Sequence, residues 1–176
     1  SIEISPEDAK TRLAKIRGKT VISGGRVQLN LLFGANVIAD NRANSGNGLY
    51  IAGSSPGLLH STIARNTGGD GSGIFITNIA ATRSTVALTN TILVSQTVGV
   101  TVTTGSTNTA TFDGVLWYSN TTNYGGAGAI TVTNATNGDP AFAADGYHLT
   151  AFSTAIDQGV DAGVTTDIDG QPRPIG

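Results

Sequence analysis

The tetrapeptide Gly48-Leu49-Tyr50-Ile51 returns at a nearly constant interval along this chain of 176 residues. Its later copies are GIFI at 73–76, GVTV at 99–102 and AITV at 129–132, so successive copies start 25, 26 and 30 residues apart. A repeat of this length is typical of proteins built from stacked structural units. Each copy alternates two apolar positions with one variable position, which predicts a short strand with one buried face.

A second strand is predicted upstream of each copy, and it follows nearly the same period. NVIADN at 36–41 aligns with STIARN at 61–66, then with NTILVS at 90–95 and GVLWYS at 114–119. Because two strand families share one interval, the repeat is a property of the whole coil. We predict an all-β fold, a right-handed parallel β-helix of about four to five rungs, in which equivalent residues of successive rungs stack about 4.8 Å apart.

The stacked positions form the predicted core. The expected inward stacks are Ile38, Ile63, Ile92 and Leu116; Leu49, Ile74, Val100 and Ile130; and Ile51, Ile76, Val102 and Val132. Asn41 and Asn66 fall at one corner on consecutive rungs. An inward amide at such a corner can satisfy the backbone groups of the neighbouring rung.

Three regions are predicted along the chain. Residues 1–19 contain a helix over 6–17, with Ser5 as N-cap and Pro6 in the first helical position, and we expect this helix to cap the first rung. The rungs occupy 20–136, and 137–176 form an irregular cap over the last rung. Half of the ten basic residues lie in the first region, and we interpret them as its solvated face: Lys10, Arg12, Lys15, Arg17 and Lys19.

Composition excludes several classes of function. The net charge is −2, so no overall positive field attracts nucleic acid, and no apolar run approaches the length of a membrane span. There is no cysteine, hence no disulfide and no thiolate metal site. The absence of methionine indicates a processed, trimmed or engineered segment. Abundant Gly, Thr and Asn with little Lys favour a bacterial cell-surface or secreted protein.

The end of the chain carries a family resemblance. DPAF at 139–142, GYHL at 146–149 and STAIDQG at 153–159 resemble the "DP.F … YHL … SPAIDAG" ending of bacterial right-handed parallel β-helix repeat proteins, in the pectate-lyase-like superfamily. TDIDGQPRP at 166–174 resembles their "TDLDGNPRP" finish. The resemblance implies an extracellular or surface location, and many such proteins have no known activity. The lyases of that superfamily hold Ca²⁺ with clustered acids and use an Arg or Lys base.

The residues themselves favour a non-catalytic protein. The outward position of the four quartets carries Tyr50, Phe75, Thr101 and Thr131, which supply neither acid nor base. Asp40 and Arg65 fall beside each other on consecutive rungs, which predicts an ion pair. No catalytic residue is therefore predicted, although the enzyme question stays open.

Two candidate sites are weighed against simpler structural roles. Four tail acids could supply oxygen ligands to Ca²⁺, although Asp residues that cap turns are the favoured interpretation: Asp157, Asp161, Asp167 and Asp169. No other cofactor is predicted. Four aromatic side chains could stack on sugar rings, although packing between rungs is the simpler interpretation: Tyr50, Phe75, Trp117 and Tyr118.

These observations predict a structural or binding module of a bacterial surface or secreted protein, in contact with polysaccharide, without a nucleic-acid partner and monomeric. One alternative is a polysaccharide lyase or glycoside hydrolase of the β-helix type. Another is an engineered or trimmed β-helix scaffold without a ligand.

Overall fold

The computed structural model describes residues 20–23 and 36–172. The helix expected over 6–17, and with it the cap assigned to 1–19, lies outside these residues. Within them the chain forms sixteen strands: β1 Thr20–Ser23, β2 Asn36–Ala39, β3 Arg42–Ala43, β4 Leu49–Ala52, β5 Gly57–Leu59, β6 Ser61–Ala64, β7 Thr67–Gly68, β8 Ser72–Thr77, β9 Thr85–Thr89, β10 Ile92–Val94, β11 Val98–Val102, β12 Thr109–Asp113, β13 Leu116–Tyr118, β14 Thr122–Gly126, β15 Ala129–Thr133 and β16 Thr136–Asn137. No helix of this described part is long and apolar enough to cross a membrane.

The strands form three larger sheets in which neighbours run parallel. Sheet A has the order β1-β4-β8-β11-β14, sheet B has β15-β12-β9-β5, and sheet C has β16-β13-β10-β6-β2, while β3 and β7 pair separately. From β2 onward the chain visits sheets C, A and B in turn, and each visit adds the next strand of that sheet. One such circuit is a rung. The closed right-handed winding of these rungs stays a prediction.

The core lies between the sheets, because alternate side chains of each strand point inward. In sheet A the residues Ile51, Ile76 and Val102 are each 0% exposed and stand in register on consecutive strands. In sheet B, Leu88 and Phe112 form the corresponding stack. Full burial of one such side chain stabilises the fold by about 1.5–3 kcal/mol, so the stacks are the main source of stability.

The predicted stack in sheet C is wrong by one residue from the third rung onward. Leu93, rather than Ile92, stands beside Ile63, and Trp117, rather than Leu116, stands beside Leu93. The inward stack is therefore Ile38, Ile63, Leu93 and Trp117, all at most 3% exposed. Ile92 and Leu116 point to the opposite face, since a shift of one residue turns every side chain of a strand over.

The alignment failed at the corner between sheets B and C, because it set Asn90 beside Ser61, whereas Asn90 is equivalent to the corner residue His60. His60, Asn90 and Gly114 each have positive φ, at 45°, 49° and 65°, and Asn134 repeats the feature at 47°. These residues are equivalent, and they are 30 and then 24 residues apart in the first three corners. The run Ile92-Leu93-Val94 is apolar throughout, so its alternation cannot reveal which face is buried.

The fourth quartet belongs to a different sheet from the other three. Residues 129–132 lie in β15, where Ile130 stands beside Ala110 of sheet B. The residue that continues the stack of Leu49, Ile74 and Val100 is Tyr124 of β14. The strand β14 reads TNYGG and has too few apolar residues to display the quartet pattern. The prediction therefore took Ile130 instead of Tyr124 as the next residue of this stack.

The amide ladder predicted at the corner is confirmed. Asn66 is 1% exposed; its Oδ1 accepts hydrogen bonds from the backbone N (3.1 Å) and Nδ2 (3.0 Å) of Asn41, and its Nδ2 donates to the Ile38 carbonyl at 3.0 Å. Gln96 and Asn120 extend the ladder, because the Gln96 backbone N donates to Asn120 Oδ1 at 3.0 Å. Buried corner backbone is therefore satisfied by the next rung.

The segment after β16, here called the tail (residues 138–172), packs along the outer face of sheet C. Phe142 contacts the cluster of Ala39, Ala64 and Val94. Asn90 binds both backbone groups of Val160, donating to its O at 2.7 Å and accepting from its N at 2.8 Å. These contacts reach several rungs along one side, which differs from the predicted cover over the last rung.

Candidate functional site

A groove of about 1060 Å³ separates the tail from the outer face of sheet C. Its floor is a ladder of residues in register on successive strands: Val37, Thr62, Ile92, Leu116 and Thr136. The shift of register in sheet C is what places Ile92 and Leu116 on this floor. The floor is therefore mostly apolar, and the polar groups of the groove come from the corners and the tail.

Two histidines and four carboxylates line the groove. His60 reaches it from the corner before β6, where its Nε2 lies 3.3 Å from Asn90 Nδ2. His148 reaches it from the tail. The carboxylates are the four tail acids of the sequence prediction: Asp157, Asp161, Asp167 and Asp169.

His148 is held between two carboxylates. Its Nδ1 lies 2.5 Å from Asp145 Oδ2, and its Nε2 lies 2.8 Å from Asp169 Oδ2. Asp145 also accepts hydrogen bonds from the backbone N of Tyr147 and of His148, both at 3.0 Å. Both ring nitrogens are thus occupied, so this histidine is not placed to take a proton from a substrate.

The contacts between His148 and its carboxylate partners shift the pKa values of His148 and Asp145 in opposite directions. The hydrogen bond to Asp145 is the main cause that raises the pKa of His148, and the bond to Asp169 adds to it. The hydrogen bond from His148 and the two backbone bonds lower the pKa of Asp145 to about 2. The two contacts therefore favour the protonated imidazolium ring over the neutral one.

Two of the four tail acids accept hydrogen bonds from the backbone of their own turns. Asp161 Oδ1 accepts from the Gly163 N at 2.9 Å, and Asp167 Oδ1 accepts from the N of Asp169 (2.9 Å) and of Gln171 (2.7 Å). Within residues 20–23 and 36–172, no group of three or more His, Asp or Glu side chains is placed to hold a metal ion. The Ca²⁺ alternative stays a prediction.

The expected ion pair between consecutive rungs is present. Arg65 Nε lies 2.9 Å from Asp40 Oδ1, and Arg65 Nη2 lies 3.2 Å from Asp40 Oδ2, which is a two-pronged contact. A third nitrogen, Nη1, donates to the Gly146 carbonyl at 3.4 Å. This arginine therefore links two rungs to the tail. Its contact in the tail, Gly146, is two residues before His148.

The four predicted aromatic contacts are not one surface. Tyr50 and Phe75 are half-buried neighbours in sheet A, with parallel rings whose centroids are 5.5 Å apart. Trp117 is only 2% exposed and packs edge-on against Phe112, so its nomination as a ligand contact is wrong. Tyr118 is 38% exposed, and a hydrogen bond with Asp139 raises its pKa.

Comparison with known proteins gives a different result from the sequence resemblance. Residues 1–52 match the model of ribosomal family S4e. The small ribosomal subunit protein eS4 of Methanospirillum hungatei JF-1 is 42% identical over 52 residues, which are 30% of this chain and 22% of that protein. The eS4 protein of Methanosphaera stadtmanae is 47% identical over 49 residues, which are 28% of this chain and 20% of that protein. The chain thus spans about a fifth of the length of these curated relatives.

No solved structure matches this chain at a significant level. The match to family S4e and to the eS4 proteins overturns several predictions. The assignment to bacterial β-helix repeat proteins of the pectate-lyase-like superfamily is wrong, and so are the secreted or cell-surface module, its polysaccharide partner, the extracellular location and the exclusion of nucleic acid. The lyase, hydrolase and scaffold alternatives are set aside for the same reason.

The matched segment is paired, through its described residues, with strands outside it. Its described part comprises β1 to β4, and β2, β3 and β4 pair with β6, β7 and β8 beyond the match. Two hydrogen bonds also cross its limit at residue 52, because Asn41 Nδ2 donates to Asn66 Oδ1 and Asn66 Nδ2 donates to the Ile38 carbonyl. The similarity therefore ends between two paired strands of sheet A.

Sequence reasoning missed the groove and the environment of His148. One signal was available, because the spacing of Asp145 and His148 suits a local turn in which the carboxylate meets the ring. The contact with Asp169 had no local signal, since 21 residues separate the two side chains. The groove itself depends on the path of the tail, which no periodic pattern describes.

Proposed function

We propose that this chain works in the small ribosomal subunit and contacts ribosomal RNA through residues 1–52. The match of these residues to ribosomal family S4e is the observation that carries the proposal. Two eS4 proteins at 42% identity over 52 residues and 47% identity over 49 residues support it.

The charge of the two parts of the chain supports the same assignment. Residues 1–52 contain seven of the ten basic residues and four of the twelve acidic ones, a net charge of +3. The remaining residues contain three basic and eight acidic ones, a net charge of −5. Phosphate contacts from Lys and Arg dominate affinity for nucleic acid. The net charge of −2 for the whole chain hides this asymmetry.

The two kinds of charge lie in different parts of the sequence. The five basic residues of 1–19 directly precede β1, the edge strand of sheet A. The tail acids line the groove on the outer face of sheet C. An RNA contact through residues 1–19 would therefore use the cationic part of the sequence rather than the part that carries the tail carboxylates.

The experiment measures binding of the whole chain to purified small-subunit ribosomal RNA by fluorescence anisotropy, over a series of salt concentrations. Lys15→Gln with Arg17→Gln removes two charges inside the matched segment. We expect affinity to fall at least about fivefold. The slope of log affinity against log salt concentration should become shallower by about 1–2, because fewer phosphate contacts form and fewer counterions are released.

The charge-matched control is Arg83→Gln with Arg173→Gln, which removes two charges outside the segment. It should stay within about twofold of the parent chain. Equal losses in the two double variants would mean that only net charge matters, and absence of binding by the parent chain at low salt would refute the proposal.

We also propose that sheets A, B and C are the three faces of one right-handed parallel β-helix. The repeated order of visits to the sheets supports this, and crossovers between parallel strands are right-handed in about 98% of cases. A crystal structure tests it directly: open sheets or left-handed rungs would refute it.

A further inference from the structure

We propose that His148 is a proton-operated latch, which holds the turn around Asp169 against the loop 145–148 and so closes one side of the groove. Three observations carry the inference. His148 contacts Asp145, His148 contacts Asp169, and both His148 and Asp169 line the groove.

The chemistry of imidazole makes the two contacts depend on one proton. An imidazolium ring donates from both nitrogens, so it satisfies both carboxylates at once. A neutral ring has one N–H and one lone pair, so it can donate to only one carboxylate, while the lone pair repels the other. Asp145 lies three residues from His148 and is fixed by two further backbone bonds, so Asp169 is the partner that is released.

Asp169 belongs to a small turn that can move as a unit. Thr166 and Pro172 form an antiparallel bridge, and Asp167 Oδ1 accepts from the backbone N of Asp169 and of Gln171. The turn keeps these internal bonds when the latch opens. Release of Asp169 therefore moves one wall of the groove without unfolding the tail.

Other titratable and charged groups also lie near His148. The ring of Tyr147 lies against it, with centroids 4.4 Å apart, and Arg65 donates to the Gly146 carbonyl from the rung side. His60 and three further acids, Asp157, Asp161 and Asp167, line the same groove. The ring nitrogens form their hydrogen bonds with Asp145 and Asp169, and these bonds favour the protonated ring.

The sign of the pH dependence follows from these contacts. The pKa of His148 is raised in the folded protein, so the latch is fully closed below the pKa of an ordinary histidine and opens as pH rises through the raised value. The latch is therefore closed in mildly acidic solution and open in alkaline solution.

The test follows amide hydrogen exchange of residues 166–172 between pH 5 and pH 9, corrected for intrinsic rates, together with the NMR titration of the His148 ring. Loss of one charge-assisted hydrogen bond should lower protection of this turn about tenfold across the titration. In Asp169→Asn the protection should vary less than about twofold with pH, and the His148 midpoint should fall.

His60→Asn is the matched control, since His60 lines the same groove and Asn tolerates positive φ. It should keep the pH dependence of the parent chain, which would assign the effect to His148. The proposal is overturned if protection stays constant while His148 titrates, or if Asp169→Asn leaves the His148 midpoint unchanged. Fluorescence of the buried Trp117 confirms that each variant is folded before exchange is measured.

Discussion

Replacement of Asn66 by Ala tests whether the corner amides hold consecutive rungs together. The side chain is 1% exposed and takes part in three hydrogen bonds, two from Asn41 and one to the Ile38 carbonyl. Each typical bond contributes about 1 kcal/mol, and a buried group left unpaired costs about 1–3 kcal/mol. We therefore expect Asn66→Ala to lower the free energy of unfolding by about 3–5 kcal/mol.

The chain offers a convenient probe for this measurement. Trp117 is the single tryptophan and is 2% exposed in the core stack, so its fluorescence reports unfolding in urea. Circular dichroism should give the same midpoint, because arrays of repeats can unfold in parts. An unchanged denaturant slope would show that the loss lies in stability rather than in the extent of unfolding.

Two further variants sharpen the result. Asn137→Ala removes an exposed amide whose Oδ1 accepts from Asn123 Nδ2 at 3.1 Å, and it should cost less than about 1 kcal/mol. Asn66→Gln should lie between the two, because Gln96 fills the equivalent corner on the next rung and donates to the Ile63 carbonyl at 3.3 Å. If Asn66→Ala proved no more costly than Asn137→Ala, the corner amides would have no special role.

Two other predictions concern the same stacks. Gln96 Oε1 is buried without a hydrogen-bond partner in the described structure. Gln96→Asn gives this corner the same residue as Asn66 and Asn120, and it should raise the free energy of unfolding in urea by about 1 kcal/mol. A clear loss of stability would contradict this prediction. Trp117→Ala should cost about 3–5 kcal/mol by circular dichroism, whereas its exposed neighbour Tyr118→Ala should cost less than about 1 kcal/mol, and equal costs would contradict the observed register.

The periodic part of the fold could be predicted from the sequence because stacking repeats one environment on every rung. The strands around Leu49, Ile74 and Val100 follow directly from that rule, and the pairing of Asn41 with Asn66 follows from their equal place in the repeat. Prediction failed where the local pattern was ambiguous. The apolar run around Leu93 does not show which face of the strand is buried. The strand β14 is so polar that its sequence does not identify it as the partner of the strand around Val100.

The candidate site was predictable only in part. The ion pair between Asp40 and Arg65 follows from the repeat, since equivalent corner residues lie side by side. The contact between His148 and Asp169 depends on the non-repeating path of the tail, so no period could indicate it. The charge asymmetry of the chain was visible from the start, but the net value for the whole chain concealed it.

The single left-handed residue between sheets B and C has a consequence for how the molecule can vary. This joint keeps almost the same length on every rung, whereas the joint from sheet A to sheet B grows from two residues at 127–128 to seven at 78–84. The joint from sheet C to sheet A also varies, from seven residues at 65–71 to three at 95–97. Differences in repeat length are thus absorbed at these two joints, and the stacked side chains stay aligned. These joints are where extra residues, even a whole loop with a new surface, can be inserted without disturbing the core.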